Sequence, residues 1–392
     1  MEESLIAQFQ SQFGTEPQFL FSAPGRTEIC GNHTDHQGGM VLAAAVDLET
    51  TAAVRVREEP IIRLVSAGYP ACEIALNDLS VREDEFGTTA ALIRGVAAGF
   101  SDRGFVLPGF DAFVVSTVLS GSGLSSSAAF EILIASIFNY FCKAGLPALE
   151  LARIGQSAEN RYFGKPCGLM DQAASAAGGI VFIDFAGGGE PKLERLQFDF
   201  SSYGYALCVV DCGADHADLT PDYAAIPEEL RAVSAVFGKT ILRDVDENEF
   251  FARLPEVRAA AGDRAVLRAI HIFDENRRVL AARDALKDGD LDIFFAVEKS
   301  SGLSSQLYLQ NILPRGAAAH QELALALALA EKLLDGEGAC RVHGGGFAGT
   351  LLAFVPEDLL PRFQREMEAV FGNGSCHVLS VNPYGGRLKS AL

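Results

Sequence analysis

The alternation of apolar and polar positions along the chain predicts a mixture of strands and helices. Residues 41–56, rich in Ala and Val, alternate in stretches as a half-buried strand does, and residues 110–118 read as another strand. Apolar positions at helical spacing predict helices over residues 128–141 and 148–162, the second ending at the Gly-Lys-Pro sequence of residues 164–166.

The later part of the chain continues this mixture. Apolar runs predict strands over residues 178–185 and 205–210, and helical spacing predicts helices over residues 222–237 and 320–334. Two further apolar runs on either side of a glycine-rich turn indicate a strand–turn–strand unit over residues 340–355. Because the strands cluster instead of alternating regularly with helices, the pattern favours an α+β fold over a doubly wound parallel sheet.

Length and composition then limit the possibilities. At 392 residues the chain is long enough for two domains. The turn residues near position 190 place their boundary between residues 1–190 and residues 191–392. The eight cysteines show no regular spacing, which is typical of small apolar side chains in a reducing cytosol. The N-terminal residues lack the basic and apolar regions of a signal peptide, so a cytoplasmic location is expected.

The net charge of −19 limits the kind of partner. Nucleic acid and anionic membranes attract proteins of the opposite sign, so neither is expected as a partner, and no apolar run reaches the length of a membrane span. We expect a monomer or a weak dimer that acts on a small molecule. A protein this acidic must concentrate its positive groups locally, or use Mg²⁺, if it is to handle a phosphate donor.

Three glycine-rich segments carry the candidate chemistry, at residues 23–35, 120–129 and 343–349. The middle one follows a predicted strand and opens a predicted helix, where unpaired backbone N–H groups and the helix dipole suit a phosphate. It lacks the Lys of a Walker loop and the G-x-S-x-G of a nucleophile elbow. We therefore interpret it as a phosphate cradle made of Ser120, Gly121, Ser122, Gly123, Leu124, Ser125, Ser126, Ser127 and Ala128.

Taken in order, the three segments resemble the signature blocks of the GHMP small-molecule kinases. The Pro-Gly-Arg start and His-Thr-Asp core of the first block, together with residues 167–172, are similar to galactokinases in particular. The resemblance extends from about residue 19 to about residue 352. It implies a two-domain fold, with an N-terminal domain like domain 2 of ribosomal protein S5 and a ferredoxin-like C-terminal domain. It also implies transfer of the γ-phosphoryl group of ATP to the 1-hydroxyl of galactose.

The same resemblance assigns the catalytic and metal-binding residues. Asp171 would orient or deprotonate the sugar hydroxyl, and Arg26 would keep Asp171 ionised and neutralise charge on the transferred phosphoryl group. Ser127 and Glu159 would hold Mg²⁺ through hard oxygen ligands. Considered apart from the resemblance, Arg26 and Asp171 could equally form a structural ion pair, and Glu159 could be a solvated carboxylate on a helix face.

Sugar contacts implied by the resemblance are Asn32, His33, Asp35, Gly168 and Tyr223. The family usually has Glu at the position of Asn32 and Tyr at that of His36. Asn carries no charge, so it would not repel a C6 carboxylate, and residues 35–39 are also similar to galacturonate kinases. Galacturonate is therefore the alternative substrate. The third block would support the phosphate region or form a tight structural turn.

Two interpretations of a different class remain. His33, Asp35 and His36 could begin a zinc or iron site of a metal-dependent hydrolase, although the other histidines are dispersed along the chain. The chain could also be a sensor that binds galactose and ATP without catalysis, but its intact Arg26 and Asp171 favour an enzyme.

Overall fold

The structure is a computed structural model that describes residues 2–118, 123–186, 190–213, 219–347 and 349–392. In these ranges the strands are β1 (Phe19–Cys30), β2 (Met40–Arg57), β3 (Ile61–Ser66), β4 (Cys72–Ala75), β5 (Gly109–Ser116), β6 (Ile180–Asp184), β7 (Lys192–Leu196), β8 (Tyr205–Asp211), β9 (Ala339–His343), β10 (Thr350–Pro356), β11 (Cys376–Leu379) and β12 (Arg387–Ala391). The α-helices are α1 (Glu2–Phe13), α2 (Thr89–Ser101), α3 (Ser126–Phe141), α4 (Ala148–Ala158), α5 (Met170–Ala177), α6 (Thr220–Val236), α7 (Glu247–Ala252), α8 (Leu254–Ala261), α9 (Asp263–Asp288), α10 (Leu291–Ser304), α11 (Glu322–Leu334) and α12 (Leu360–Phe371).

The larger sheet, with eight strands in the described part of the chain, is organised around the long strand β2. Its main path runs β12-β1-β2-β5-β3-β4, and β6 and β7 branch from β2. The first part of β2 pairs with β6 and the second part with β5, while β1 pairs along both parts. Only β3 and β5 pair in parallel among the described strands, so the sheet is mixed, as the clustering of strands in the sequence predicts.

Helices α2, α3, α4 and α5 cover one face of this sheet and bury a continuous apolar core with it. Helix α1 packs on the other face through Leu5 and Phe9. Helix α3 begins at Ser126 shortly after β5, so the predicted strand–loop–helix context of the middle glycine segment is confirmed. The predicted helix over residues 148–162 is also confirmed, except that its last residues form a π-helical turn at Glu159–Phe163.

A smaller antiparallel sheet has the strand order β11-β8-β10-β9 within the described residues. Helices α11 and α12 pack on one of its faces. Its other face shares a core with α9, α10, the end of β1 and the first part of β2, so the two sheets are joined by apolar contacts. The mixed α+β fold predicted from the sequence is confirmed.

The division of the chain at residue 190 stays a prediction. Strand β7 and strand β12 both come from the C-terminal side of that point, yet β7 pairs with β6 and β12 pairs with β1 in the larger sheet. The larger sheet therefore takes strands from both sides of the predicted boundary. In the part of the chain that the structure describes, no helix is long and apolar enough to cross a membrane.

Candidate active site

Arg26 and Asp171 form a two-pronged ion pair between strand β1 and helix α5. The Nε and Nη2 atoms of Arg26 each donate to a different oxygen of Asp171 at 2.6 Å. The Arg26 side chain is 9% exposed and the Asp171 side chain 27%, so the carboxylate can still be reached from solvent. Burial alone would raise the pKa of Asp171, but the charge and hydrogen bonds of Arg26 outweigh it and hold that pKa below its usual value.

The turn before helix α3 meets this ion pair. Ser125 has a left-handed backbone conformation and donates a hydrogen bond from Oγ to Asp171 Oδ2 at 2.7 Å. The carbonyl of Gly123 accepts a hydrogen bond from Arg26 Nη1, and the carbonyl of Leu124 accepts one from the Arg26 backbone. Ala128 is fully buried in the core. The predicted residues Ser120, Gly121 and Ser122 lie outside the described residues.

Ser127 and Glu159 are adjacent at the start of α3 and the end of α4. Ser127 Oγ donates to Glu159 Oε1 at 3.0 Å, and the ammonium of Lys165 lies 3.5 Å from the same oxygen. A hydroxyl and a carboxylate at this distance are hard oxygen donors of the kind that Mg²⁺ prefers, so the residues fit the predicted metal. Glu131, a buried neighbour, has its pKa raised well above the usual value by burial and then by the charge of Glu159.

Asp35 lies against the turn that precedes helix α5. A Cβ atom at Gly168 would collide with Oδ2 of Asp35, so only glycine leaves room for this carboxylate. The backbone N–H of His36 donates to Asp35 Oδ1 at 2.8 Å. Burial, and to a smaller extent the charge of Asp171, raise the pKa of Asp35 to about 6. Two predicted sugar contacts, Asp35 and Gly168, are thus brought together beside the Arg26–Asp171 pair.

His33 and His36 form a chain of hydrogen bonds in the loop of residues 31–39, here named the 31–39 loop. His33 Nε2 lies 3.0 Å from the carbonyl of Gly345, which can only accept, so His33 Nδ1 accepts from His36 Nε2 at 3.1 Å. His36 Nδ1 then accepts from the amide of Gln37 at 3.1 Å. Burial lowers the pKa of His33 to about 4 and that of His36 to about 3, so both rings are neutral.

These hydrogen bonds use the ring nitrogens that a zinc or iron site would need as metal ligands. All four ring nitrogens are engaged in hydrogen bonds in this arrangement. Within the described ranges, no group of three or more His, Cys, Asp or Glu side chains is arranged to hold a metal ion.

Asn32 is fully buried, and hydrogen bonds occupy its whole amide group. Nδ2 donates to Glu28 Oε1 at 2.9 Å and to the carbonyl of Gly344 at 2.6 Å. Oδ1 accepts from Asn311 at 2.7 Å and from Ser305 at 3.3 Å. The predicted contact of Asn32 with a sugar stays a prediction, and it would require one of these bonds to be replaced.

The third glycine segment packs against the 31–39 loop. Tyr223 donates from its hydroxyl to the carbonyl of Gly346 at 2.8 Å, and its ring lies so close to Gly345 that a Cβ there would collide with it. At the other end of the segment, His343 is buried, and its two ring nitrogens lie near Thr27 and Thr350 at 3.0 and 2.9 Å. A Cβ at Gly123 would meet His343 and Thr350, so the segment also supports the turn before α3. Ala348 lies outside the described residues.

Sequence reasoning missed Glu28 and its buried partner Arg341. Arg341 Nη2 lies 3.3 Å from Glu28 Oε1, and burial raises the pKa of Glu28 to about 7 although Arg341 lowers it in part. The alternation along β1 could have indicated Glu28, because positions 26 and 28 face the same side of a strand. Nothing in the local sequence could have indicated Arg341, which lies 313 positions away.

A cavity of about 760 Å³ lies beside Ser126 and Ser127. The residues that line it come from β3, β5, α2, α3 and the segment that follows β3, and they include Tyr69, Leu92 and Phe130. Its volume is within the range of small-molecule sites. Of its lining residues, the sequence indicated only Ser126 and Ser127, because the others are spread over about one hundred positions and form no motif.

The amino-acid sequence matches known families and a known kinase. Residues 7–56 match the model of the galactokinase galactose-binding signature, and residues 91–179 match the model of the GHMP kinase N-terminal domain. The chain is 33% identical over 354 residues to a galactokinase of Streptomyces coelicolor, covering 88% of this chain and 87% of that protein.

Solved structures share the fold. A Lactococcus lactis galactokinase complexed with galactose superposes with a TM-score of 0.83 at 24% identity, covering the whole of both chains. A mevalonate kinase of Methanococcus jannaschii superposes with a TM-score of 0.66 at 15% identity, over 93% of this chain and 98% of the other. With its matching signature, its curated relative and its fold, the chain belongs to the galactokinase family of the GHMP kinases.

Proposed function

We propose that this chain transfers the γ-phosphoryl group of ATP to the 1-hydroxyl of α-D-galactose, giving galactose 1-phosphate and ADP. The observation that carries the proposal is the contact of three separate segments at Asp171. Arg26 from β1 and Ser125 from the turn before α3 both donate to this carboxylate, and Asp35 from the 31–39 loop lies against Gly168 in the turn just before it. A structural ion pair alone would not need the hydroxyl of Ser125 or a second carboxylate nearby.

Asp171 and Arg26 divide the chemical work of the proposed reaction. Because Arg26 lowers the pKa of Asp171, the carboxylate is ionised at neutral pH and can accept a hydrogen bond from the 1-hydroxyl or take its proton. The hydroxyl oxygen attacks the γ-phosphorus while the bond from that phosphorus to the oxygen of ADP breaks. Arg26 supplies positive charge beside the transferred group.

Ser127 and Glu159 are the residues that would hold Mg²⁺. When bound, the ion neutralises negative charge on the phosphate oxygens. The protein itself carries a net charge of −19, so it needs such a local positive charge. Their own role is to fix a hydroxyl and a carboxylate side by side, 3.0 Å apart, at the start of helix α3. The helix dipole at this end also favours the negative charge of phosphates.

The cavity beside Ser126 and Ser127 is our candidate for the base and ribose of the nucleotide. Apolar side chains such as Leu92 and Phe130 suit a flat ring, and the neighbouring N-terminus of α3 suits the phosphates. A nucleotide in this orientation would direct its terminal phosphate toward the turn at Ser125, where Arg26 and Asp171 lie.

Galactose is favoured over galacturonate by the position of Glu28. Asn32 lacks the charge of the usual Glu, but its Nδ2 lies 2.9 Å from the carboxyl group of Glu28, so an acidic side chain remains in this region. When ionised, that group would disfavour a C6 carboxylate, whereas it is compatible with a C6 hydroxyl in either protonation state.

The first test is turnover with ATP and Mg²⁺ on galactose, galacturonate, glucose and N-acetylgalactosamine at equal concentration. We expect a preference for galactose. We also expect the Asp171→Asn variant to lose about 10²- to 10⁴-fold in kcat while it still binds ATP, because the amide cannot take a proton. A preference for galacturonate would reassign the substrate, and near-normal kcat in Asp171→Asn would contradict the role of Asp171.

A further inference from the structure

Glu131 is buried in an unusual way for a carboxyl group. It lies one helical turn after Ser127 on α3 and is fully buried. Its Oε2 atom accepts a hydrogen bond from Gln172 at 2.9 Å, whereas Oε1 has no hydrogen-bond partner among the described residues. Buried acids without full pairing are rare, because an apolar side chain would fill the same space at lower cost. The presence of a carboxyl group here therefore points to a function of its hydrogen bond with Gln172.

Gln172 connects Glu131 to Glu159. Its side-chain nitrogen lies 2.9 Å from Glu131 Oε2 and 2.9 Å from Glu159 Oε2. An amide nitrogen has two hydrogens, so a single group can donate to both acids at once. Helix α4 makes room for this contact at Gly155, where a Cβ would lie 3.1 Å from both Gln172 and Glu131.

The consequence for Glu159 is a fixed orientation. Because Gln172 binds Oε2, the other oxygen, Oε1, is directed to Ser127 at 3.0 Å. We propose that Gln172, anchored by Glu131, is a positioning residue that holds the carboxylate of Glu159 in the orientation that binds the metal. This inference rests on the proposed kinase function, since it concerns the metal site of that reaction.

The experiment measures metal binding without turnover. Mn²⁺ is titrated by electron paramagnetic resonance into the full-length protein with a non-hydrolysable ATP analogue and no sugar. We expect Gln172→Met to weaken Mn²⁺ binding about 10- to 100-fold, as loss of a group that orients a ligand does, and to leave the KM for galactose unchanged. Unchanged Mn²⁺ affinity in Gln172→Met would overturn the proposal.

A matched control separates positioning from general disturbance. The side chain of Gln156 on α4 donates to the carbonyl of Cys167 at 3.2 Å and forms no hydrogen bond with either acid among the described residues, so Gln156→Met makes the same chemical change nearby. We expect its Mn²⁺ affinity to equal that of the unmodified protein. Equal weakening in both variants would contradict a specific role of Gln172.

Variants of Glu131 decide the question if Gln172→Met does not fold. Glu131→Gln keeps an oxygen that accepts from Gln172, whereas Glu131→Met removes it. We expect Glu131→Met to weaken Mn²⁺ binding and Glu131→Gln to restore it; equal affinities in the two would refute the anchoring role. The proposed function would fail separately, if the unmodified protein bound Mn²⁺ with the nucleotide but phosphorylated no sugar.

Discussion

The Arg26–Asp171 pair and the 31–39 loop lie side by side, but different parts of the chain hold them in place. The ion pair is built from β1, α5 and the turn before α3, all within the first half of the sequence. The 31–39 loop is held by Asn311 and by the glycine segment at residues 344–346, which come from the other end of the chain.

This difference separates the chemistry from the recognition of the substrate. The groups proposed to act on the phosphoryl group are joined by hydrogen bonds between the larger sheet and its helices, with Arg26 and Asp171 145 positions apart. The 31–39 loop proposed to bind the sugar depends on hydrogen bonds with segments 205 to 312 positions away, Asn311 and Gly344 among them. Changes at the ion pair should therefore reduce kcat, and changes at the distant supports of the loop should raise the KM for galactose.

Among the changes that test this comparison, Arg26→Lys gives the largest expected effect. Lysine has one ammonium in place of a planar fork, so it cannot bind both oxygens of Asp171 and the carbonyl of Gly123 together. We expect kcat to fall about 10²- to 10³-fold, with a smaller change in the KM for galactose. Steady-state kinetics with saturating ATP measures both. A larger change in KM than in kcat would contradict the proposed separation of catalysis from sugar binding.

The sequence predicted the residues of the ion pair and those of the proposed metal site. Arg26, Asp171, Ser127 and Glu159 lie in glycine-punctuated or helical segments whose type is visible in the pattern, and the structure places them in two adjacent pairs. Strands β2, β5, β6, β8, β9 and β10 and helices α3, α4, α6 and α11 were predicted for the same reason, whereas strand β1 and the long helix α9 were not.

The supports of the 31–39 loop could not be predicted in this way. Asn311 lies in an irregular segment after α10, and its importance comes from a 2.7 Å contact with a residue 279 positions earlier. The burial of Asn32 also follows from that packing. From the sequence, Asn in place of the usual Glu indicated a change of substrate specificity. In the structure, Asn32 belongs to a buried hydrogen-bond network. Likewise, no local signal assigns β12 to the larger sheet.

Asn311→Ala has the next largest expected effect. It removes the hydrogen bonds to Asn32 Oδ1 and, at 3.2 Å, to the carbonyl of Gly345. We expect the free energy of unfolding to fall by about 1–3 kcal/mol, because buried acceptors lose a donor. We also expect the KM for galactose to rise more than kcat falls.

Asn139→Ala is the control for this variant. Asn139 makes two hydrogen bonds to the backbone of Leu146 at the far end of α3, so its loss should lower stability without touching the loop. Urea unfolding and steady-state kinetics are compared for both variants. A rise in KM for Asn139→Ala as large as that for Asn311→Ala would trace the effect to stability alone.

The smallest effect is a dependence of the KM for galactose on pH. Burial raises the pKa of Asp35 to about 6, so the carboxylate is ionised above pH 6 and protonated below it. If Asp35 accepts sugar hydroxyls, the KM should rise about fivefold from pH 6 to pH 5, since the ionised fraction falls from about one half to about one tenth. The kcat should change less, because the lowered pKa of Asp171 keeps it ionised.

Glu28 provides the check on this assignment. Its pKa of about 7 would give a second inflection one unit higher, and Glu28→Gln would remove that inflection alone. A KM that is constant from pH 5 to pH 8 would contradict the proposed role of Asp35.

The pairing of β12 with β1 has a consequence for biosynthesis. Strand β1 carries Arg26, and one of its edges is covered by residues 387–391. The ribosome releases the N-terminal residues first, so the edge at residues 19–22 stays open until residues 387–391 have been translated. An open strand edge can pair with another chain. The nascent protein is thus exposed to aggregation at the start of the strand that bears Arg26 until β12 has been synthesised.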